Sequence, residues 1–406
     1  MTTRPDAPRR SWIELRPGAT PAATGAPVGT VSLVHEYLTR RGGAERRALA
    51  MAEALPGAPL HTSLYQPEST SPGFAHVEVR PLGLNRLGVL RKHHRLALSV
   101  LAPAFSLLRV DADVVVVCSS SGWAHGVVAS GRKVVYCRTP ARWLYQAGRY
   151  LGGATGAQRG GRRAFSLAAS LALGAAGPPL RRWDRSAAGS AARYLANSTA
   201  TAELVRRVYG LEAEVLHPGH ALAPEGTEEP VEGLEPGYWL CVARLLAYKN
   251  VDVVLEALGR RRGEAVVVVG EGPDRARLRA VCPPGSRLLG GANDAQLRWL
   301  YRHARALVSL SYEDFGLTPV EAAAFGTPTL ALRYGGSLDT VVEGETGVLV
   351  DAPTPALVAA AAGELGATRW DPEALRRHAE RFSPDRFAAR LRQVVAEEAR
   401  AMGVGP

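Results

Sequence analysis

A chain of 406 residues, 46% apolar and 21% charged, is long enough for two ordinary domains and has the balance of a folded protein rather than a disordered one. Its net charge of +11 is unevenly shared: residues 1–230 hold 28 Lys and Arg against 16 Asp and Glu, while the remainder holds 21 against 22. An anionic partner is therefore implied for the first half alone, whether a membrane surface, a nucleic acid or a phosphorylated substrate. Cys118, Cys137, Cys241 and Cys282 form no C-x-x-C pair and no Cys/His cluster, so a disulfide framework and a zinc site are excluded and no metal is expected.

Residues 1–28, rich in Pro, Ala, Thr and Arg without an apolar core, read as a disordered tail and not as a signal peptide. Short Val-rich runs alternating with helical patterns then predict parallel sheets built from βαβ units. In the first half, strands are expected at 30–35, 113–119, 133–137 and 193–198, with helices at 44–55, 86–108 and 200–208. The apolar stretch Ala164 to Gly177 would span about 21 Å as a helix against roughly 30 Å of bilayer core, so it does not cross a membrane. Periodicity disappears in a Pro/Gly/Glu-rich passage that predicts a linker at 223–236. The second half repeats the alternation: YWLCVA, AVVVVG, RLLG, ALVSLS, PTLAL and GVLV read as strands, with helices opening near Val251, Asp274, Asn293, Pro319 and Ser337. Asn293 with Gln296 three residues on is a capping-box pattern. A last amphipathic helix, about Pro384 to Ala401, is expected to pack back onto the first domain. The resulting division is a domain over 29–222, a linker over 223–236, a domain over 237–383 and a crossover helix with tail over 384–406, with the site in a cleft between two doubly wound units.

Three stretches bear on chemistry. SYEDFGLTPVEAAAFG sets Glu313 in a loop and Glu321 at the start of a helix. A capping box of Thr318, Pro319 and Glu321 would by itself account for Glu321, but it leaves Glu313, Asp314 and the glycine unexplained. In ARLLAYKN, Arg244 leaves a buried strand and Lys249 precedes Asn250, read as a helix N-cap; two cations at a helix start suit a diphosphate, although solvated loop cations are the commoner outcome. Gly42-Gly43, between a strand and a helix, would let amides approach a phosphate, or would be a turn and nothing more. Neither the G-x-G-x-x-G nor the G-x-x-x-x-G-K-[ST] fingerprint occurs.

Taken in this order on paired Rossmann domains, the E-x7-E stretch, the Arg/Lys pair, GEGP at 270–273 and the Gly-Gly turn resemble the retaining GT-B glycosyltransferases of family four, in their mannosyltransferase-like branch. The resemblance implies an α/β fold of two facing Rossmann-like domains and a retaining, metal-independent hexosyltransferase without cofactor. By the same resemblance Glu313 meets the donor sugar, and the amides of Phe315, Gly316 and Leu317 approach sugar and phosphate. Glu321 bonds the ribose, Arg244 and Lys249 neutralise the diphosphate, and Gly42 and Gly43 close over it. The donor implied first is GDP-mannose, and the acceptor a hydroxyl on a lipid-linked, glycan or natural-product molecule. A UDP-glucose or UDP-N-acetylglucosamine transferase is the nearer alternative. An inactive scaffold or a nucleic-acid-binding protein is the distant one, disfavoured because the motif residues are retained and because nucleic-acid-binding patterns are missing. Where similar family segments carry histidines, this sequence has Ser121 and Arg138, so Ser121, His125 and Arg138 stand as acceptor-side candidates. The basic, Leu/Ala-rich stretches 86–109 and 159–182 read either as interfacial helices on an anionic membrane or as ordinary solvated faces. The expected location is cytoplasmic, with peripheral contact at the inner membrane face under the first of those two readings.

Overall fold

The computed structural model describes residues 29–92, 98–119, 122–146, 177–259 and 264–403. They divide into two compact units, one formed by 29–219 together with 382–403, the other by His220–Arg381.

In the first unit seven strands form one sheet, ordered Val79–Pro81, Leu60–Thr62, Val31–His35, Val114–Ser119, Arg132–Cys137, Arg193–Ala196 and Glu214–Val215, with every pairing parallel. The run VVVVCS explains the layering. Strand side chains alternate between faces: Val114, Val116 and Cys118 enter one core with the Gly43–Ala54 helix, while Val115 and Val117 enter another with Leu101, Phe105 and Trp123. The helix Pro384–Arg400 belongs to this unit, as its pattern implies. Phe387, Leu391, Val394 and Val395 lie in the first of those cores, with Phe387 edge-on to Tyr136 at 5.7 Å between ring centres. Its polar side is fastened by Arg193 to Glu397 (2.5 Å), by Arg390 to Glu214 (2.6 Å) and by Arg132 to Glu398.

The second unit has a six-stranded parallel sheet ordered Arg287–Leu288, Val266–Val269, Trp239–Val242, Ala306–Ser309, Thr329–Leu332 and Gly347–Val350. Numbered within the unit, this is the 3-2-1-4-5-6 order of a doubly wound sheet, which reverses between Trp239–Val242 and Ala306–Ser309. Here too one strand feeds two cores, Val266 and Val268 on one face and Val267 and Val269 on the other. The passage 223–236 contains no helix or strand and is tied to this unit: Glu229 accepts from Asn293 and Gln296, Arg298 donates to the Ala223 carbonyl, and Arg302 pairs with Glu228 at 2.6 Å.

Several expectations are met at residue scale and others are not. The capping box of Asn293 and Gln296 forms as the spacing predicts. Strands Leu60–Thr62 and Val79–Pro81 and helices Pro355–Ala367 and Pro372–Ala379 are additions to the sequence reading. The helix expected over 86–108 is described as two pieces, Gly88–Lys92 and Leu98–Leu107, with 93–97 outside the described residues. Leu101 and Phe105 are buried, whereas Leu87, Val89 and Leu107 are exposed. Of the second basic stretch, 159–176 lies outside the described residues, as does the tail 1–28. Among the described residues no helix is long and apolar enough to cross a membrane.

Candidate functional site

The strand order of the second unit reverses where two neighbouring parallel strands end, and the loops leaving their carboxyl ends, 243–250 and 310–316, carry Arg244, Lys249 and Glu313. A crevice at such a point is where open α/β sheets bind ligands. Lys249 ends a short 3-10 turn, Ala247–Lys249, and its side chain is almost fully buried, with Nζ paired to Glu313 Oε1. Nζ also lies 5.1 Å from the centre of the Tyr248 ring. The same cation acts on Cys241 at the end of its own strand: burial pushes that thiol up to about 12, and the Lys249 charge works in the opposite direction. Glu313 keeps 29% of its side chain exposed, so the pair opens to solvent on the carboxylate side. Arg244 is exposed, and no hydrogen bond or ion pair holds its guanidinium among the described residues.

Asn250 corrects the sequence reading. It does precede the Val251–Leu258 helix, yet its side chain caps nothing there. Its backbone is left-handed (φ 52°, ψ 35°), the one positive φ outside glycine among the described residues, and its side-chain amide donates to the Leu310 carbonyl at 2.7 Å.

The stretch 313–321 holds a second correction. The helix opens two residues earlier than the motif suggests, spanning Leu317–Ala324 with Gly316 at φ 79° before it, and no side chain caps it, so the capping box of Thr318 and Glu321 does not form. The carboxylate of buried Glu321 instead accepts from the Tyr301 hydroxyl at 2.8 Å. Tyr301 is fully buried, stacks on Phe325 at 5.5 Å between ring centres, and is tied through its own carbonyl to the Thr327 hydroxyl. Uncapped first-turn amides at Gly316 and Leu317 are donors for an anion. Phe315 is buried and anchors the loop before them.

Glycines set the shape of these loops, Gly335 and Gly336 among them without having been singled out from the sequence. The Gly336 amide donates to the Glu313 carbonyl at 3.2 Å. A Cβ at Gly335 would collide with that carbonyl, and one at Gly336 with the Phe315 backbone. On the other side, Gly270 and Gly272 of the GEGP stretch pass so close to Ala243 and Leu245 that a side chain at either would overlap their backbone. Leu245 and Glu271 share a backbone hydrogen bond of 2.9 Å across that contact. GEGP therefore supports the Arg244 loop through close backbone approach.

In the first unit Gly42 precedes the Gly43–Ala54 helix and leaves it without a side-chain cap. A Cβ at Gly42 would meet Glu45, whose carboxylate pairs with Arg40 at 3.2 Å, whereas one at Gly43 would meet nothing within 4 Å. Beneath lies His35, which donates from Nδ1 to the Cys118 carbonyl at 3.0 Å with Glu36 Oε2 at 3.4 Å. Burial opposes its charge, but Cys118, Glu36 and Glu45 together raise its pKa to about 9.

The acceptor-side candidates separate. His125 lies in a 3-10 turn, Ala124–Gly126, and is buried: Nε2 is 2.9 Å from Asp184 Oδ1, Nδ1 is 3.2 Å from the Tyr194 hydroxyl, and Trp183 and Tyr209 pack around it. Lys133 Nζ reaches the His125 carbonyl at 2.7 Å, and burial lowers that lysine to about 8. His125 is thus a packed, paired core residue. Arg138 is half-buried after the Arg132–Cys137 strand, its amide on the Ser119 carbonyl at 2.9 Å. Ser121 lies outside the described residues.

Residues 227–382 match the family described as glycosyl transferases group 1. A D-inositol 3-phosphate glycosyltransferase of Streptomyces bingchenggensis is 33% identical over 276 residues, covering 57% of this chain and 59% of that protein. A glycogen synthase of Thermus thermophilus is 36% identical over 169 residues, 36% of this chain and 39% of that protein. The chain thus aligns with under two thirds of the length of these relatives. In structure it is similar to Anabaena HepE solved in complex with UDP-glucose (TM-score 0.61, 15% identity, 91% of this chain and 100% of that one). It is also similar to the sucrose-phosphate synthase of Thermosynechococcus elongatus (TM-score 0.62, 17% identity, 92% and 100%). Residues 227–382 thus carry a domain of the group 1 glycosyl transferases, and the two Rossmann-like units have the GT-B fold of these structural neighbours.

Proposed function

We propose that this chain transfers a hexose from a nucleoside diphosphate sugar to an acceptor hydroxyl, with retention at the anomeric carbon and without a metal ion. The observation that carries the reading is the Lys249–Glu313 pair at the point where the second sheet reverses, beside the uncapped helix start at Gly316. An ammonium has three donor hydrogens, so Lys249 can hold Glu313 and still reach a diphosphate oxygen. Arg244, exposed and unheld, supplies the second cation, and the amides of Phe315, Gly316 and Leu317 the neutral donors. Glu313 takes hydroxyls of the sugar and Glu321 takes the ribose.

The step breaks the anomeric C–O bond, and its electron pair leaves with the diphosphate. Preorganised cations and amides stabilise that developing charge. The acceptor oxygen bonds the anomeric carbon on the face the leaving group vacates, and its proton passes to the departing phosphate oxygen. No protein base is required, which accords with a buried, paired His125.

GDP-mannose remains the first donor on the resemblance in the motifs. UDP-glucose is the second, favoured by the HepE complex. The positive excess of residues 1–230 suits an anionic acceptor or an anionic membrane carrying it, and one relative is named for D-inositol 3-phosphate. The test is a thermal-shift panel of GDP, UDP, ADP and dTDP, followed by turnover of the matching sugar donors with and without EDTA. A ligand that binds only the folded chain raises Tm with concentration over Kd. A shift with none of the four, or activity abolished by EDTA and restored by Mg²⁺, would overturn the reading.

A further inference from the structure

We propose that Asn250 is a positioning residue that sets Lys249 against Glu313, so that the grip on a diphosphate depends on a side chain that never touches it. The inference rests on the functional reading of Lys249 and Glu313 given above.

Asn250 stands where a helix N-cap belongs, and its carbonyl accepts from the Val254 amide at 3.3 Å, but its side chain does none of a cap's work. A capping asparagine has extended backbone and accepts from an amide of the first turn; this one is left-handed and its side chain accepts no such bond. Asparagine is among the few residues other than glycine that tolerate this conformation. Glycine would satisfy the backbone more easily, so the side chain needs its own reason. That reason is the bridge: Nδ2 donates to the Leu310 carbonyl at 2.7 Å, with the Tyr248 carbonyl at 3.4 Å. Both neighbours are acceptors, so the nitrogen and not the oxygen of the amide must face them.

Leu310 directly follows the Ala306–Ser309 strand, and Asn250 closes the loop that leaves the neighbouring Trp239–Val242 strand. The bridge therefore spans the two loops that carry the ion pair, one residue from Lys249 and three from Glu313. With the Lys249 amide bonded to the Leu246 carbonyl at 2.9 Å and that of Asn250 to the Ala247 carbonyl at 3.1 Å, the short turn is closed on itself. The Asn250 amide then fixes this closed turn to the opposite strand end. Its loss frees the turn, and Lys249 with it, to swing away from Glu313.

Asn250→Gly keeps the left-handed backbone and deletes the bridge, so it isolates the side chain; Asn250→Asp keeps the size and sets a carboxylate against two carbonyls. For Asn250→Gly we expect UDP or GDP, whichever the wild type binds, to lose affinity about tenfold by calorimetry. The same substitution in a Lys249→Met background should cause no further loss, because the residue acts through the lysine. A crystal structure of unliganded Asn250→Gly should show Lys249 Nζ withdrawn from Glu313. An equal tenfold loss in both backgrounds, or an unmoved Lys249 with wild-type affinity, would overturn the proposal. If Lys249→Met binds the diphosphates as the wild type does, the functional reading fails instead, and the crystal structure alone decides whether Asn250 places the lysine.

Discussion

Replacing Lys249 by Met separates charge from packing at the centre of the proposed site. Methionine keeps an unbranched apolar stem of similar length in a position where the lysine is nearly buried, so little cavity is created. The partner left behind, Glu313, exposes 29% of its side chain and can be hydrated. The loss of the pair should therefore cost no more than about 1 kcal/mol of stability, the range of exposed ion pairs rather than of sealed ones. For a unit of this size that is about 2–4 °C in Tm. Catalysis should respond far more strongly. Deleting one preorganised charge from a site that stabilises a leaving group costs about 10²–10³ in kcat, some 2.7–4 kcal/mol.

The assay is release of nucleoside diphosphate from the sugar donor, first by slow hydrolysis without an acceptor and then with one, alongside calorimetric binding of the diphosphate and a thermal melt. A melt within about 4 °C of wild type together with a kcat loss of at least about a hundredfold is the expected result. A variant that melts normally and turns over within about threefold of wild type would refute the assignment of Lys249 to the diphosphate. A large drop in Tm with proportionate loss of activity would show that the lysine is structural.

Tyr301→Phe removes the hydroxyl that Glu321 accepts from and should destabilise the chain by about 1.5–3 kcal/mol in denaturant melts, as hydrogen bonds to charged groups do; combined with Glu321→Gln the losses should be less than additive, and strict additivity would argue against the pair. Gly336→Ala sets a methyl group on the Phe315 backbone and should lower both Tm and diphosphate affinity, while Gly43→Ala, where a Cβ meets open space, should leave Tm unchanged. Hydrogen bonds from Arg193 and then Arg390 hold the Glu397 carboxyl at about 2, below its ordinary 4.5. A carboxyl depressed in the folded state stabilises above its unfolded pKa, so its contribution is complete above pH 4.5 and lost as pH falls toward 2. Equilibrium melts of wild type and Glu397→Gln should therefore differ at pH 7 and converge by pH 2, and a difference independent of pH would contradict the assignment.

The second unit was the more legible half because its strands are covered on both faces. YWLCVA, AVVVVG and ALVSLS then read as unbroken apolar runs, and the turns between them are marked by glycine and asparagine. Leu60–Thr62 and Val79–Pro81 escaped because three residues set no period, and one run contains His61 and the other Pro81. At Glu321 the spacing of a capping box was present, but Gly316 starts the helix early and the buried Tyr301 competes successfully for the carboxylate. His125 stood among the acceptor-side candidates because Asp184, Tyr194 and Trp183, the residues that bury it, come from distant elements that no local pattern connects.

The same contrast explains why the side chains proposed to grip the ligand were readable while their supports were not. Lys249 and Glu313 announce themselves as charges at the ends of buried strands, but what fixes them is either backbone conformation, as at Asn250, or the lack of a side chain, as at Gly335 and Gly336. The obstacles a methyl group would meet there are the Glu313 carbonyl and the Phe315 backbone. A rotamer change can relieve a clash with a side chain, but a clash with main chain is relieved only by moving the loop. The loop that would have to move carries Glu313 and ends at the uncapped amides of Gly316 and Leu317, so a single added methyl group displaces carboxylate and amide donors together. On this argument the shape of the proposed donor site is set as much by atoms that are missing from the 335–336 turn as by the charges the site presents.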